Sequence, residues 1–202
     1  MFDKNFIPLT EKLLLPFAKK LVSKGIHADS ITIIGFVVGL SAALSISLNY
    51  YAIGFILILI NRVFDGLDGI VARETQTSDK GAFLDISLDF VFYAMIPMSF
   101  AINDPDNNSL AAIYLIVSFV GTGSSFLAFS LVAERRNLKS MVFPKKGIYY
   151  LESFMEGGET IFFFLLMCLI PSFFPIIAYV FTLLCTITWL ARLWIGFKVL
   201  KK

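Results

Sequence analysis

The sequence reads DGLDGIVAR at residues 65–73 and, after a spacer of seven residues, GAFLDISLD at residues 81–89. These two stretches, which together span 25 residues, contain four aspartates at the edge of otherwise apolar sequence. A carboxylate at bilayer depth costs about 2.5 to 3.5 kcal/mol on insertion scales, so such a cluster is hard to retain unless a cation gathers it. The four acids are Asp65, Asp68, Asp85 and Asp89.

The spacing of these acids predicts a shared metal site. Asp65 and Asp68 are three positions apart and so lie on one face of a helix. Asp85 and Asp89 are four positions apart, which groups them in the same way. Two helices that meet near their ends would bring all four side chains to one point. Clusters of oxygen ligands suit Mg²⁺, Mn²⁺ or Ca²⁺ rather than zinc.

The composition indicates an integral membrane protein, because 57% of the 202 residues are hydrophobic. A spanning helix needs roughly 20 mostly apolar residues, and the bilayer favours helices that satisfy their own backbone groups. We predict an all-α polytopic membrane protein with six transmembrane helices, of which the fifth is short. The predicted spans are about 31–49, 52–72, 81–102, 110–133, 158–170 and 173–197.

The first part of the chain predicts an amphipathic helix that lies on the membrane. Apolar and basic positions alternate along residues 5–24, with Leu13 and Phe17 on one stripe and Lys12 and Lys19 elsewhere. Such a helix either anchors the protein to anionic headgroups or guides lipid toward the site. The whole chain, 1–202, is then one membrane domain with an interfacial segment at 1–26 and a six-helix bundle at 27–202.

The basic residues predict the orientation in the membrane. With a cytoplasmic N-terminus, all 17 Lys and Arg residues fall on the cytoplasmic side of the six-span arrangement. The longest opposite loop, 103–109, carries only the acids Asp104 and Asp106. Both termini and the aspartate cluster are therefore expected at the cytoplasmic face.

The pattern D-x-x-D-G-x-x-A-R followed by G-x-x-x-D-x-x-x-D resembles the signature of the CDP-alcohol phosphatidyltransferases, and all eight of its positions are filled. They are Asp65, Asp68, Gly69, Ala72, Arg73, Gly81, Asp85 and Asp89. The full chain is most similar to a bacterial inner-membrane group of this family whose acceptor is unassigned. The resemblance implies transfer of a substituted phosphate from a CDP-linked lipid, normally CDP-diacylglycerol, to an alcohol, with release of CMP, in phospholipid biosynthesis. It also implies a homodimer and no nucleic-acid partner.

The resemblance assigns roles to the acids. Asp65, Asp68 and Asp85 would coordinate two divalent ions, Mg²⁺ or Mn²⁺, that bridge the carboxylates and the pyrophosphate. Asp89 would be the catalytic base and in some relatives is also a metal ligand. Alternatively, the acids could form a cation pathway in a membrane transporter, which is a different class of function. A noncatalytic membrane scaffold is a further alternative.

The resemblance also implies a binding site for the CDP donor. Gly69 would let a nucleotide approach the helix backbone, and Arg73 would present a planar fork to a phosphate. Asp29 or Ser30 could instead be an N-cap of the first span, and His27-Ala28 replaces the Thr-Pro usual in the family. The residues implied for donor binding are Asp29, Ser30, Thr32, Gly69, Ala72, Arg73, Ser78 and Gly81.

The acceptor alcohol stays open. Arg135 and Arg136 begin a basic loop, and Arg192 lies within the sixth span, so these three could bind an acceptor phosphate. Positive-inside topology alone also accounts for the loop. The acidic and aromatic stretch at 149–159 could recognise a cationic alcohol or form an interfacial belt. The chain lacks the Pro-Val-Ala-Asp-Lys form of glycerophosphate-using members, which counts against that acceptor.

Two further features have structural interpretations. Gly35 and Gly39 form a Gly-xxx-Gly motif, for which tight packing within the chain is the main interpretation and a dimer contact the alternative. Cys168 and Cys185 lie inside predicted spans and are interpreted as buried, reduced thiols.

Overall fold

The computed structural model describes residues 3–136 and 155–201, with side chains from residue 10 onwards. These ranges form seven α-helices, and a short 3-10 turn at Pro171–Phe173 joins the last two. The last six helices match the six predicted spans to within five residues at each end. The helices are α1 (Asp3–Ser23), α2 (Ala28–Ser47), α3 (Tyr51–Glu74), α4 (Asp79–Asn103), α5 (Pro105–Arg135), α6 (Gly157–Leu169) and α7 (Phe174–Leu200).

The helices define a polytopic membrane protein, as predicted. Helices α2, α4, α5 and the segment Pro171–Leu200 are each long and apolar enough to cross a bilayer. Helix α3 has the length of a span but carries the charged residues of the first motif, and α6 has only 13 residues. The total of six spans therefore stays a prediction.

Apolar side chains form much of the outward-facing surface of the bundle. Leu44 on α2, Val120 on α5 and Phe197 on α7 are 62%, 64% and 80% exposed. In water such a surface would be unstable, whereas in a bilayer it is solvated by hydrocarbon. The exposed apolar faces are therefore consistent with a bundle surrounded by acyl chains.

Glycines allow α2 to pack closely against the next two helices. A Cβ atom on Gly35 would lie 2.8 Å from Cβ of Phe64 on α3, and one on Gly39 would lie 2.7 Å from the ring of Phe92 on α4. Both distances are shorter than real Cβ contacts allow. Packing within the chain is thus confirmed as the role of the Gly-xxx-Gly motif.

Phenylalanine rings fill the centre of the bundle. The rings of Phe100 on α4 and Phe174 on α7 stack with centroids 4.5 Å apart, and those of Phe163 and Phe181 stack at 4.4 Å. Stacked and edge-to-face rings add to the energy of burial. Cys168 and Cys185 are buried beside this core as free thiols, which confirms their predicted character. The completely buried rings are those of Phe92, Phe100, Phe164, Phe174 and Phe181.

Helix α1 packs on the first part of the bundle. Its Ala18 is completely buried against a small apolar cluster that includes Ile31 of α2 and Val71 of α3. Leu13 and Phe17, which the sequence placed on the apolar stripe, are both 63% exposed. The helix therefore has one apolar face on the bundle and presents these two side chains outward, which fits an interfacial position.

Candidate active site at the aspartate cluster

Helices α3 and α4 bring the acids of the two motifs together. The helices run in opposite directions and are joined by residues 75–78, so the end of α3 lies beside the start of α4. Carboxylate oxygens of Asp65, Asp85 and Asp89 all lie within 4.8 Å of one another. Asp68 lines the same cleft and is buried. The four predicted acids thus share one cleft, with three of them in the tightest group.

A threonine from α2 orients the fourth acid. The hydroxyl of Thr32 donates a hydrogen bond of 2.7 Å to Oδ2 of Asp68. Because Thr32 is 36 residues earlier in the chain, this contact joins the start of α2 to the end of α3. Thr32 was predicted to contact the nucleotide, and it lies on the wall of the cleft.

An arginine that the sequence analysis did not assign to the site lies among the acids. The guanidinium of Arg62 on α3 lies 3.4 Å from Oδ1 of Asp65 and donates a hydrogen bond of 3.0 Å to Oδ1 of Asp89. Its Nε donates to Oδ1 of Asn61 at 2.8 Å, and the amide nitrogen of Asn61 donates to the carbonyl of Gly35 at 2.8 Å. The signal was present: Arg62 lies one helical turn before Asp65, in an apolar segment.

Residues predicted to hold the donor meet at the start of α4. The Ser78 hydroxyl caps α4 by accepting a hydrogen bond of 3.0 Å from the amide of Gly81. A Cβ atom on Gly81 would lie 3.1 Å from Oδ1 of Asp29, so glycine leaves room for that carboxylate. Asp29 also forms an ion pair of 3.1 Å with Lys80. Three separate predicted positions are therefore neighbours in space.

The interpretation of Asp29 or Ser30 as an N-cap is wrong. Helix α2 begins at Ala28, and the N-cap position is occupied by His27, which has an extended backbone. Asp29 lies in the first turn instead, where a carboxylate is favourable near the free amide groups. Ser30 is exposed at the same helix end.

The remaining motif residues lie in the last turns of α3, and one of them, Arg73, contacts α1. A Cβ atom on Gly69 would lie 3.4 Å from the guanidinium of Arg73, one turn along α3. Arg73 donates a hydrogen bond of 2.5 Å to Glu11 of α1, and the side chains of this pair are about half exposed. Ala72 is partly exposed beside them. Helix α1 is thus connected directly to the first motif.

The three arginines predicted for the acceptor lie elsewhere among the described residues. Arg192 donates a hydrogen bond of 2.6 Å to the carbonyl of Thr122 on α5, and Arg136 donates one of 2.5 Å to the carbonyl of Leu200 on α7. Arg135 is exposed in the last turn of α5. In the described ranges, the walls of the aspartate cleft include none of the three. Most of the 149–159 stretch lies outside the described residues.

The donor set of the cleft fits a hard divalent cation. All four acids offer only carboxylate oxygens, which Mg²⁺ and Mn²⁺ prefer. The oxygens of Asp65, Asp85 and Asp89 are close enough to be shared by one ion without moving the helices. The fold and the cleft therefore define an integral membrane protein with a cleft rich in carboxylate oxygens between two of its helices.

Comparisons with known proteins identify the family. The model of the CDP-alcohol phosphatidyltransferase family matches residues 26–195. The inner membrane protein YnjF of Escherichia coli strain K12 is 41% identical over 201 residues, which are 100% of this chain and 98% of YnjF. The chain belongs to the CDP-alcohol phosphatidyltransferase family, and it is an enzyme that transfers substituted phosphate groups. The enzyme interpretation is thus confirmed over the transporter and the scaffold.

Solved structures show the same fold. Phosphatidylinositol phosphate synthase (PgsA1) of Mycobacterium tuberculosis, crystallised with CDP-DAG bound, superposes with a TM-score of 0.71 at 20% identity. The match covers 90% of this chain and 92% of that chain. A second structure of that enzyme, with manganese and citrate, gives a TM-score of 0.69 at 20% identity and covers 90% of this chain and 88% of that chain.

Proposed function

We propose that the protein transfers a phosphatidyl group from CDP-diacylglycerol to an alcohol and releases CMP, with Mg²⁺ or Mn²⁺ bound at the aspartate cluster. The observation that carries this proposal is the convergence of three carboxylates within 4.8 Å in a chain that contains the whole family motif. Crystals of a protein with the same fold contain CDP-DAG in one case and manganese in another, which supports both the donor and the ion.

The acids would divide the work between binding the ions and moving a proton. Asp65, Asp68 and Asp85 would hold two divalent ions, with Asp89 as an additional ligand. When bound, these ions neutralise the pyrophosphate and the charge that grows on the departing CMP. Thr32 would keep the Asp68 carboxylate turned toward the cleft through its 2.7 Å hydrogen bond.

Asp89 would be the general base of the transfer. It takes the proton from the acceptor hydroxyl as that oxygen attacks the β-phosphorus of the donor. The bond between this phosphorus and the oxygen of CMP breaks as the new bond forms, and CMP leaves with the electron pair. Asp89 suits this role because it belongs to the tight group of acids and its side chain is about 30% exposed, so an acceptor can reach it.

The donor nucleotide would bind where α2, α3 and α4 meet. Ser78 and Gly81 at the start of α4 lie beside Asp29, which gives this region polar contacts, and the absence of a side chain on Gly81 leaves room for the Asp29 carboxylate. Arg73 would exchange Glu11 for a donor phosphate. The residues proposed for donor binding are Asp29, Ser30, Thr32, Gly69, Ala72, Arg73, Ser78 and Gly81.

The acceptor and the setting of the enzyme complete the proposal. The residues proposed to bind the acceptor are Arg135, Arg136 and Arg192. Arg192 is the best supported of the three, because burying a guanidinium in an apolar helix is costly and such residues usually have a function. The chain would act as a single domain and a homodimer in the bacterial inner membrane. Both termini and the site would face the cytoplasm, the side to which the predicted six-span arrangement assigns all 17 basic residues.

CMP release tests the proposal. Purified protein with Mn²⁺, CDP-diacylglycerol and a panel of alcohols and phosphorylated alcohols should release CMP with at least one acceptor. Mass spectrometry of the lipid product then identifies the acceptor. We expect Asp89→Asn to reduce turnover by about 100-fold or more, as the loss of a general base does.

The control for Asp89→Asn is Asp106→Asn, because Asp106 is an exposed acid at the opposite end of the bundle. It should release CMP at the unmodified rate. Equal rates for the Asp89→Asn variant and the unmodified protein would remove Asp89 as the base. A fully folded protein that releases no CMP with any acceptor would contradict the proposed function itself.

A further inference from the structure

Arg62 is the one positively charged side chain on the walls of the cleft as the structure describes them. Its two terminal nitrogens point to different acids, since Nη1 lies 3.4 Å from Asp65 and Nη2 lies 3.0 Å from Asp89. These acids come from two helices and belong to the tight group of three. Arg62 thus bridges α3 and α4 at the point where the divalent ions would bind.

The surroundings of Arg62 hold its guanidinium in place. Nε donates to Asn61 at 2.8 Å. The guanidinium carbon lies 5.0 Å from the ring centre of Phe92 and 5.8 Å from that of Tyr93, which are cation–π distances. The side chain is only 17% exposed. These contacts and this low exposure keep the Arg62 guanidinium inside the cleft, unlike the charge of a side chain on the protein surface.

We infer that Arg62 is a positioning residue that weakens the binding of a divalent ion by the Asp65–Asp89 side of the site until the anionic donor arrives. This inference rests on the proposed function, in which that side of the site takes up an ion.

Charge and geometry both support this role. A guanidinium within about 5 Å of a bound dication raises the energy of that ion, and the effect is strong where water is partly excluded. The hydrogen bond to Asp89 also occupies Oδ1, which is one of the two carboxylate oxygens that Asp89 can offer to an ion. The pyrophosphate of the donor adds negative charge that offsets Arg62. Binding of donor and binding of ion should therefore strengthen each other.

The test is to titrate the whole protein, after a chelator has removed its metal ions, with Mn²⁺ alone. Electron paramagnetic resonance measures the unbound Mn²⁺ at each step. In Arg62→Gln, the site formed by Asp65 and Asp89 should bind Mn²⁺ about tenfold more tightly than it does in the unmodified protein. This is a change in binding free energy of about 1.4 kcal/mol. Arg62→Lys keeps the charge and should stay within about threefold of the unmodified protein. Saturating CDP should tighten Mn²⁺ binding less in Arg62→Gln than in the unmodified protein.

The control is Lys198→Gln, because Lys198 is a basic side chain near the end of α7 that lies over the ring of Trp194 rather than on the walls of the cleft. Its Mn²⁺ affinity should equal that of the unmodified protein. Unchanged or weaker Mn²⁺ binding in folded Arg62→Gln would overturn the inference. The inference would also be overturned if CDP tightened Mn²⁺ binding equally in Arg62→Gln and in the unmodified protein.

A second pair of variants covers the case in which Arg62→Gln does not fold, since removing one partner of a buried ion pair is strongly destabilising. Arg62→Gln with Asp89→Asn removes both charges and is compared with Asp89→Asn alone. The double variant should bind Mn²⁺ more tightly than the single one, and equal affinity would overturn the inference. CMP release by the unmodified protein is a separate readout, so failure of the proposed function is recognised independently.

Discussion

The two ends of α4 lie in opposite chemical surroundings. Near its start, Asp85 and Asp89 face a cleft that also contains Asp65, Asp68 and Arg62. Two to three turns further along, Ile96 and Phe100 are completely buried among other apolar side chains. One continuous helix of 25 residues therefore serves two purposes.

This difference separates stability from function. The apolar end gains energy from close packing of rings and aliphatic side chains. The acidic end places several carboxylates near one another, which disfavours folding unless a cation compensates. Replacing Asp85, which lies outside the ion pairs of Arg62 with Asp65 and Asp89, should therefore reduce catalysis with little loss of stability, and changes at the apolar end should do the reverse.

The largest expected effect is at the acidic end. Asp85→Asn should reduce the turnover rate by about 1,000-fold or more, because loss of a charged oxygen ligand weakens the stabilisation of the transition state. Its thermal unfolding temperature should stay equal to or above that of the unmodified protein. Asp79→Asn is the control, since Asp79 is exposed in the first turn of the same helix. Unchanged turnover in Asp85→Asn would show that the acidic end of α4 is not required for catalysis.

The next effect is at the apolar end. Phe100→Ala should lower the free energy of unfolding by about 3 to 5 kcal/mol, because Phe100 is completely buried and stacks on Phe174. Turnover per folded molecule should stay within about twofold of the unmodified enzyme. Thermal unfolding in detergent measures the first quantity. Phe197→Ala serves as the comparison, since Phe197 is 80% exposed and should change stability little.

A smaller effect is expected where α2 supports the cleft. Thr32→Val keeps the shape of the side chain but removes the hydrogen bond to Asp68, so kcat/KM should fall about tenfold. Thr32→Ser keeps the hydroxyl and should restore most of the activity. Full activity in the valine variant would show that Asp68 is oriented by other contacts.

The smallest effect concerns the connection between α1 and the motif. Glu11→Gln removes the charge that pairs with Arg73, and both side chains are about half exposed, so stability should change by less than about 1 kcal/mol. Donor KM should stay the same or decrease, because Arg73 becomes available to a phosphate. A rise in KM of tenfold or more would contradict the proposed exchange of Glu11 for the donor.

Much of this fold was predictable because the apolar segments are long. The spans of α2 to α7 were placed to within five residues, and the pairing of acids followed from helical periodicity. The local error at Asp29 arose because an N-cap depends on which residue leaves the helical conformation, and here that residue is His27.

Contacts between distant parts of the chain were not predictable in the same way. Arg62 and Asp89 are 27 positions apart, and the pairing of Asp29 with Lys80 joins two different helix starts. The periodicity of a helix predicts which residues of that helix share a face, but not which residues of two different helices come into contact. Arg62 could have been noticed as a charge one turn before Asp65, but its contact with Asp89 depends on how α3 and α4 both pack on α2.

The most direct test of the central claim is anomalous diffraction from crystals grown with Mn²⁺ and CDP. We predict manganese peaks between α3 and α4, with oxygens of Asp65, Asp68, Asp85 and Asp89 at bonding distance. A cleft without an anomalous peak when CDP is bound at saturating Mn²⁺, or a metal ion bound to other residues, would show that the four acids do not form the metal site.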